Sequence, residues 1–342
     1  MSRKKSQNPV IIYRLGSLGD TVIAMPCFHH VARTFPDRER IVLTNKPVSG
    51  VAPALEAILG SSGLVHSYIT YDVGERGFFD LLNLFLRIRA SGADTMVYLT
   101  AGRGLENVAR DMRFFRLCGI KKFHGAPSTA DLHENRLVGS DDREIEPEAE
   151  RLVRTLESLG PIDLRDRANW DLLLNEYEHA AAERAIAALQ GQPFIAISIG
   201  TKLPANDWGK DNWNAMLSVL AARLENVALV GIGASADFAG TERLLRRWKG
   251  KTANLCGTLD PRQSAAVLSR AALFIGHDSG PMHLAAASGA PTIGVFGNNN
   301  PPRKWHPYGD RCLAIQDMRG VTNIPVEKVV VSAIEFLDYS HV

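Results

Sequence analysis

Short runs of consecutive apolar residues alternate along this chain with longer stretches in which apolar positions recur every three or four residues. In the first half the runs at 10–13, 40–44, 67–70, 95–98 and 122–124 predict buried strands. The stretches at 21–35, 50–60, 77–91, 104–118 and 147–159 predict helices between them. Strand alternating with helix argues for a parallel sheet covered on both faces. The segment 161–166 reads as a boundary, with a short strand at 170–174 and a helix at 176–189. The plan then restarts at Pro193 with strands near 194–199, 227–230, 253–255, 273–276 and 292–296. Helices are expected near 210–224, 237–249 and 261–270, then a short one beginning at Ser279–Pro281, and a last amphipathic one at 325–339. No close sequence repeat accompanies this duplicated plan. The expected fold is α/β: two doubly wound, Rossmann-like domains facing a cleft, at 1–165 and 166–324, followed by the terminal helix in 325–342.

A length of 342 residues suits two such domains. Hydrophobic residues at 45% and charged residues at 22% are the balance of a globular protein, and no apolar run is long enough to span a bilayer. The first nine residues are polar and lack the apolar middle of a signal peptide. Cys27, Cys118, Cys256 and Cys312 are scattered with no Cys-x-x-Cys pair, which argues against a zinc site and a disulfide framework. A cytoplasmic, reduced protein is expected. A net charge of +2 gives no reason to expect nucleic-acid binding. The charge is uneven, however: residues 76–122 hold nine Lys and Arg against four Asp and Glu, a local +5. That excess reads either as solvated helix faces or as a surface that meets an anionic acceptor or membrane leaflet.

Open parallel sheets bind ligands beyond the carboxyl ends of their strands. Four polar loops fall there, at 14–20, 200–208, 231–237 and 277–281. The helix start at Ser279–His283 presents unpaired N–H groups and a positive dipole end, suited to a diphosphate or simply to an ordinary cap. Asp20, at another helix start, is a helix cap or a general base. The run Gly231-Ile-Gly-Ala-Ser-Ala236 fits a dinucleotide fingerprint and raises a nicotinamide-dependent oxidoreductase as a rival. The acidic residue required about twenty positions later is missing, since 251–257 contains none.

Asp278, Ser279, Gly280, His283, Leu284, Ala285 and Ala286 fill the string Asp-[Ser/Thr]-Gly-x-x-His-Leu-[Ala/Thr]-Ala. That string resembles the C-terminal signature of glycosyltransferase family 9, the heptosyltransferases of lipopolysaccharide core. The resemblance implies the GT-B arrangement, in which the last helix often crosses back onto the first domain. It implies an inverting transferase whose donor is a nucleotide-diphosphate sugar, with ADP-heptose first in line, and whose acceptor is an anionic glycan or glycolipid. Residues 278–283 (Asp278, Ser279, Gly280, Pro281, Met282 and His283) would hold the diphosphate with Thr201 and Lys202. Asp237, with Glu242 as competitor, would meet the nucleoside. Ser17-Leu18-Gly19-Asp20 is similar to the family's base loop, making Asp20 the base. Gly16, Ser17, Gly19, Arg103 and Arg113 fall on the acceptor side.

One departure stands out. The family often has Lys two positions before the Trp of the 200–208 loop; here Asn206 precedes Trp208, leaving Lys202 as its cation. Asn206 is the one feature favouring a nucleotide-sugar-binding protein without strong turnover. No two aspartates stand two apart, so no metal and no cofactor are expected. The helix dipole, Lys202 and His283 would stabilise the leaving group. Peripheral contact with the cytoplasmic face of the inner membrane is a further expectation.

Overall fold

The five apolar runs of the first half form five parallel strands in the computed structural model, which describes residues 8–46, 55–72, 77–139 and 144–338. They are β1 (Val10–Tyr13), β2 (Arg40–Asn45), β3 (Ser67–Tyr71), β4 (Thr95–Tyr98) and β5 (Lys122–His124), in the order β3-β2-β1-β4-β5. β1 is central and wholly buried, with Val10 level with Arg40 on one side and Thr95 on the other. Between the strands run α1 (Leu18–Ile23), α2 (Met25–Thr34), α3 (Glu56–Leu59), α4 (Phe78–Ala90), α5 (Leu105–Leu117), α6 (Ala130–His133) and α7 (Glu148–Thr155).

The helix expected at 21–35 is two helices. Pro26 enters the first turn of α2, where its missing N–H costs nothing, and the chain is re-nucleated at Ala24. Part of the helix expected at 50–60 and Arg76 of the basic segment lie outside the described residues.

The strand expected at 170–174 is instead a 3₁₀ turn at Arg167–Trp170. Trp170 donates to the Leu164 carbonyl at 2.8 Å, and the segment is tied to α2 by Arg33–Asn169 and His29–Asp171 carbonyl bonds, both 2.7 Å. These ties keep the segment with the first unit, so the division falls between Leu173 and Leu174, later than the expected 165/166.

The second unit holds β6 (Phe194–Ser198), β7 (Ala228–Gly231), β8 (Thr252–Asn254), β9 (Leu273–His277), β10 (Thr292–Phe296) and β11 (Cys312–Gln316), all parallel, in the order β11-β10-β9-β6-β7-β8. Its helices are α8 (Glu176–Ile186), α9 (Lys210–Arg223), α10 (Phe238–Leu245), α11 (Pro261–Leu268), α12 (Gly280–Ala287) and α13 (Val326–Asp338). β11 was not foreseen, although Cys312-Leu-Ala-Ile315 is an apolar run; as an edge strand it buries only Ile315. α12 packs so closely that a Cβ at Gly294 of β10 would lie 2.5 Å from the Met282 sulfur. α13 packs on α9, β9 and β10 of its own unit. Its apolar face (Val329, Val330, Ala333, Leu337) closes the core under that sheet.

Candidate functional site

In the first unit, β1 runs into a loop that is shaped around Asp20. Gly16 has φ +127°, and a Cβ there would come within 2.5 Å of the Asp20 Cβ, so only glycine fits. Oδ2 of Asp20 accepts from the Ser17 N–H at 2.6 Å and the Ser17 hydroxyl at 2.8 Å. Oδ1 accepts no hydrogen bond among the described residues. Gly19 is buried in the first turn of α1.

Sequence reasoning missed Arg14. It is fully buried, donates to the Leu99 carbonyl at 2.6 Å, and donates again to the Asp20 carbonyl. Burial pushes its guanidinium below the ordinary arginine range, and the Asp20 carboxylate pulls it back. The available signal was a basic residue directly following a wholly apolar strand. Arg14→Met takes a donor from the buried Leu99 carbonyl and the half-buried Asp20 carbonyl, and we expect it to lower the unfolding free energy of the first unit by about 3 kcal/mol in urea titration. A change below roughly 1 kcal/mol would show that this arginine does not brace the loop.

Arg103 reaches the end of β1, donating to the Tyr13 hydroxyl at 2.9 Å and pairing with Asp111 at 3.3 Å. Arg113 is exposed on α5, about 12 Å along the helix from Leu105, and is not brought to this loop.

In the second unit three loops converge on the ends of β6, β7 and β9. The Asp237 carboxylate accepts from the Ala234 N–H at 2.9 Å and lies against Gly200, where any side chain would collide with it. Glu242 is turned towards β8, accepting from Asn254 at 3.1 Å and facing Arg246 at 3.5 Å. Of the two acidic candidates, Asp237 therefore sits with the loop that carries Thr201. The Thr201 hydroxyl is engaged with Leu203 of its own loop, and Lys202 is exposed.

Asn206 is buried. It reaches the Asp278 carbonyl at 3.4 Å and accepts from Asn299, while Asn300 donates to the Asp278 carboxylate at 2.7 Å. The segment 298–300 is thereby fastened to the start of α12. Trp305 follows it, edge-on to His283 at 6.4 Å, with Lys304 5.9 Å from the Trp305 ring centre.

His277, at the end of β9, joins these loops. Its Nε2 accepts from the Trp208 N–H at 3.0 Å and the Trp213 indole at 3.2 Å. The proton must then sit on Nδ1, which is buried and makes no hydrogen bond of good geometry among the described residues, although the carbonyls of Gly200 and Ile199 are its neighbours. Burial pushes the imidazole down to about 4, against the pull of Asp207. Trp208 is wholly buried, as a lone tryptophan in a core would be.

At the start of α12, Ser279 holds the cap position without capping: its Oγ is buried and has no hydrogen-bond partner among the described residues. Gly280 and Pro281 follow as the first two helical residues, with Met282 and His283 buried behind them. No group of three or more His, Cys, Asp or Glu side chains is assembled for a metal among the described residues. No helix there is long and apolar enough to cross a membrane.

Two doubly wound α/β domains with polar loops at the strand ends define the GT-B class of glycosyltransferase fold. The glycosyltransferase family 9 (heptosyltransferase) model matches residues 139–323, more than half the chain, and the chain belongs to that family. It is a glycosyltransferase. It is 21% identical over 296 residues to the lipopolysaccharide core heptosyltransferase OpsX of Haemophilus influenzae, covering 85% of this chain and 80% of the relative. It is 22% identical over 307 residues to lipopolysaccharide heptosyltransferase 3 of Escherichia coli K12, covering 86% and 84%. The fold is shared with a family 9 glycosyltransferase from Veillonella parvula, with TM-score 0.73, 18% identity and coverage of 98% and 99%. It is shared also with E. coli heptosyltransferase WaaC with ADP, with TM-score 0.66, 17% identity and coverage of 96% and 99%.

Proposed function

We propose that this glycosyltransferase transfers heptose from ADP-heptose, with inversion and without a metal ion, to an anionic acceptor of lipopolysaccharide core on the cytoplasmic side of the inner membrane. The observation that carries the donor reading is the start of α12. A helix whose N-cap hydroxyl is buried, makes no capping bond and has no partner among the described residues offers hydrogen bonds to an anion. Residues 278–283 hold the diphosphate there, with Thr201 and Lys202 from the loop after β6 adding a hydroxyl and a point charge. Asp237 accepts from the ribose, and Glu242 serves the nucleoside only indirectly through Asn254. The relatives named as heptosyltransferases support the choice of sugar, and a neighbouring structure holds ADP.

Asp20 takes the proton of the acceptor hydroxyl as that oxygen attacks the anomeric carbon. Gly16, Ser17 and Gly19 give the attacking group room beside it, and Arg103 meets acceptor anions; Arg113 lies too far along α5 to join it. One base with direct displacement inverts the anomeric centre, and charge building on the departing diphosphate falls to the α12 dipole, Lys202 and His283.

The test is a screen of purified nucleotide sugars. ADP-heptose should stabilise the chain by about 2.7 kcal/mol at a hundredfold excess over Kd. It should release ADP only when lipopolysaccharide-core acceptor is present, at an unchanged rate with chelator. Preference for another donor would refute the sugar assignment, and loss of turnover restored by magnesium would refute metal independence.

A further inference from the structure

Helix α4 carries apolar residues on two sides, and only one side is used. Ile88 is buried, and Leu84 and Phe85 pack against the core of the first unit. Phe78, Leu82 and Leu86 recur every four residues elsewhere on the helix, with Phe79 beside them. All four are exposed, Phe78 by 74% and Phe79 by 81%, and the two rings meet edge to face at 5.7 Å. Single exposed apolar side chains need no explanation, but a helical stripe of four large ones does.

The stripe is bordered by cations. Arg89, three residues after Leu86, continues it and is exposed. Arg87 is fixed beside it on the Thr70 carbonyl at 2.7 Å. α5 packs next to α4 and adds exposed Arg113 and Leu117. An apolar helical stripe with basic residues along its edge is the pattern of a helix lying in the headgroup region of an anionic bilayer. A second copy of the chain fits less well, because a symmetric contact through this stripe would set the same basic patch against itself.

We infer that α4 is a membrane-docking element, inserting Phe78, Phe79, Leu82 and Leu86 into an anionic leaflet while Arg89 meets lipid phosphate. The inference rests on the proposed function only in that a lipid-borne acceptor gives docking a purpose. Vesicle binding needs neither donor nor acceptor, so its failure would leave sugar transfer standing, and the failure of sugar transfer would leave it standing.

The experiment is sedimentation of the full chain with vesicles of phosphatidylcholine alone and of phosphatidylcholine mixed with phosphatidylglycerol. Binding is expected to the mixed vesicles only, and to weaken as salt is raised. Phe78→Ser with Phe79→Ser should lower the partition coefficient at least about tenfold. Arg89→Gln should lower it about fivefold. Circular dichroism should be unchanged in each, since the side chains are exposed. The inference is overturned if mixed vesicles do not bind, or if the paired phenylalanine variant binds them as well as the parent chain does. It is also overturned if the chain forms a concentration-dependent dimer that this variant breaks while no vesicle binding is seen.

Discussion

Asp20→Asn is expected to reduce turnover by about 10²–10⁴-fold while donor binding stays intact. The magnitude is that of losing a positioned general base. Asn can still accept from the Ser17 N–H and hydroxyl, so the loop has no reason to unfold, and the Arg14 bond goes to the backbone carbonyl, which the substitution keeps. What is lost is the carboxylate whose Oδ1 is not engaged. The measurement is kcat with saturating donor and acceptor, paired with the thermal shift produced by donor alone. A fall in kcat with an unchanged shift supports the base. Turnover within a few-fold of the parent chain would return Asp20 to the role of a helix cap. A fall in kcat accompanied by a lost donor shift would mean that the loop serves the donor rather than the acceptor.

How far the sequence reveals this molecule depends on how local the determining physics is. Seven of the eleven strands among the described residues, β1, β2, β4, β6, β7, β9 and β10, are buried along almost their whole length, and such strands read as apolar runs. The edge strands β3, β5, β8 and β11 bury at most one residue each; the first three fall between helical stretches of the alternating plan, whereas β11 was missed although Cys312-Leu-Ala-Ile315 is apolar. The split of the first helix was written in Pro26 and was overlooked. The fate of 167–173 was decided by contacts with α2 made by His29 and Arg33, which no local pattern announces. In the same way α13 follows the core it can close, and amphipathicity alone does not say which core that is.

At the site, the signature string 278–286 and the Gly-Asp loop were readable because glycine and capping residues have local reasons to be where they are. The supports were not readable. Arg14, Asn299, Asn300 and His277 act on residues far away in the chain, and their partners exist only once neighbouring strands that are distant in sequence lie side by side. Asn206 shows the difference. In sequence it is a missing lysine; in the structure its amide has become part of the fastening between the 298–300 segment and the start of α12.

His277 yields the second large effect, a loss of stability in acid. Its folded value of about 4 lies below the ordinary histidine value of 6.5, so between these limits the unfolded chain binds the proton more readily. The stability that the neutral ring contributes is complete above about pH 6.5, falls as pH drops through that window, and is gone below about pH 4. The loss should reach about 2 kcal/mol by pH 5 relative to pH 7.5, from the linkage of a group with these two values. Structurally, a protonated Nε2 can no longer accept from the Trp208 N–H and the Trp213 indole, so the loop carrying Thr201 and Lys202 loses its anchor. His277→Phe removes the titration but leaves both donors unpaired, at a cost of about 2–4 kcal/mol at neutral pH. Urea unfolding of the parent chain and of this variant should therefore differ by that amount at pH 7.5 and by about 2 kcal/mol less at pH 5. A difference that is the same at both pH values would show that another group governs the acid sensitivity and that His277 is a packing residue only.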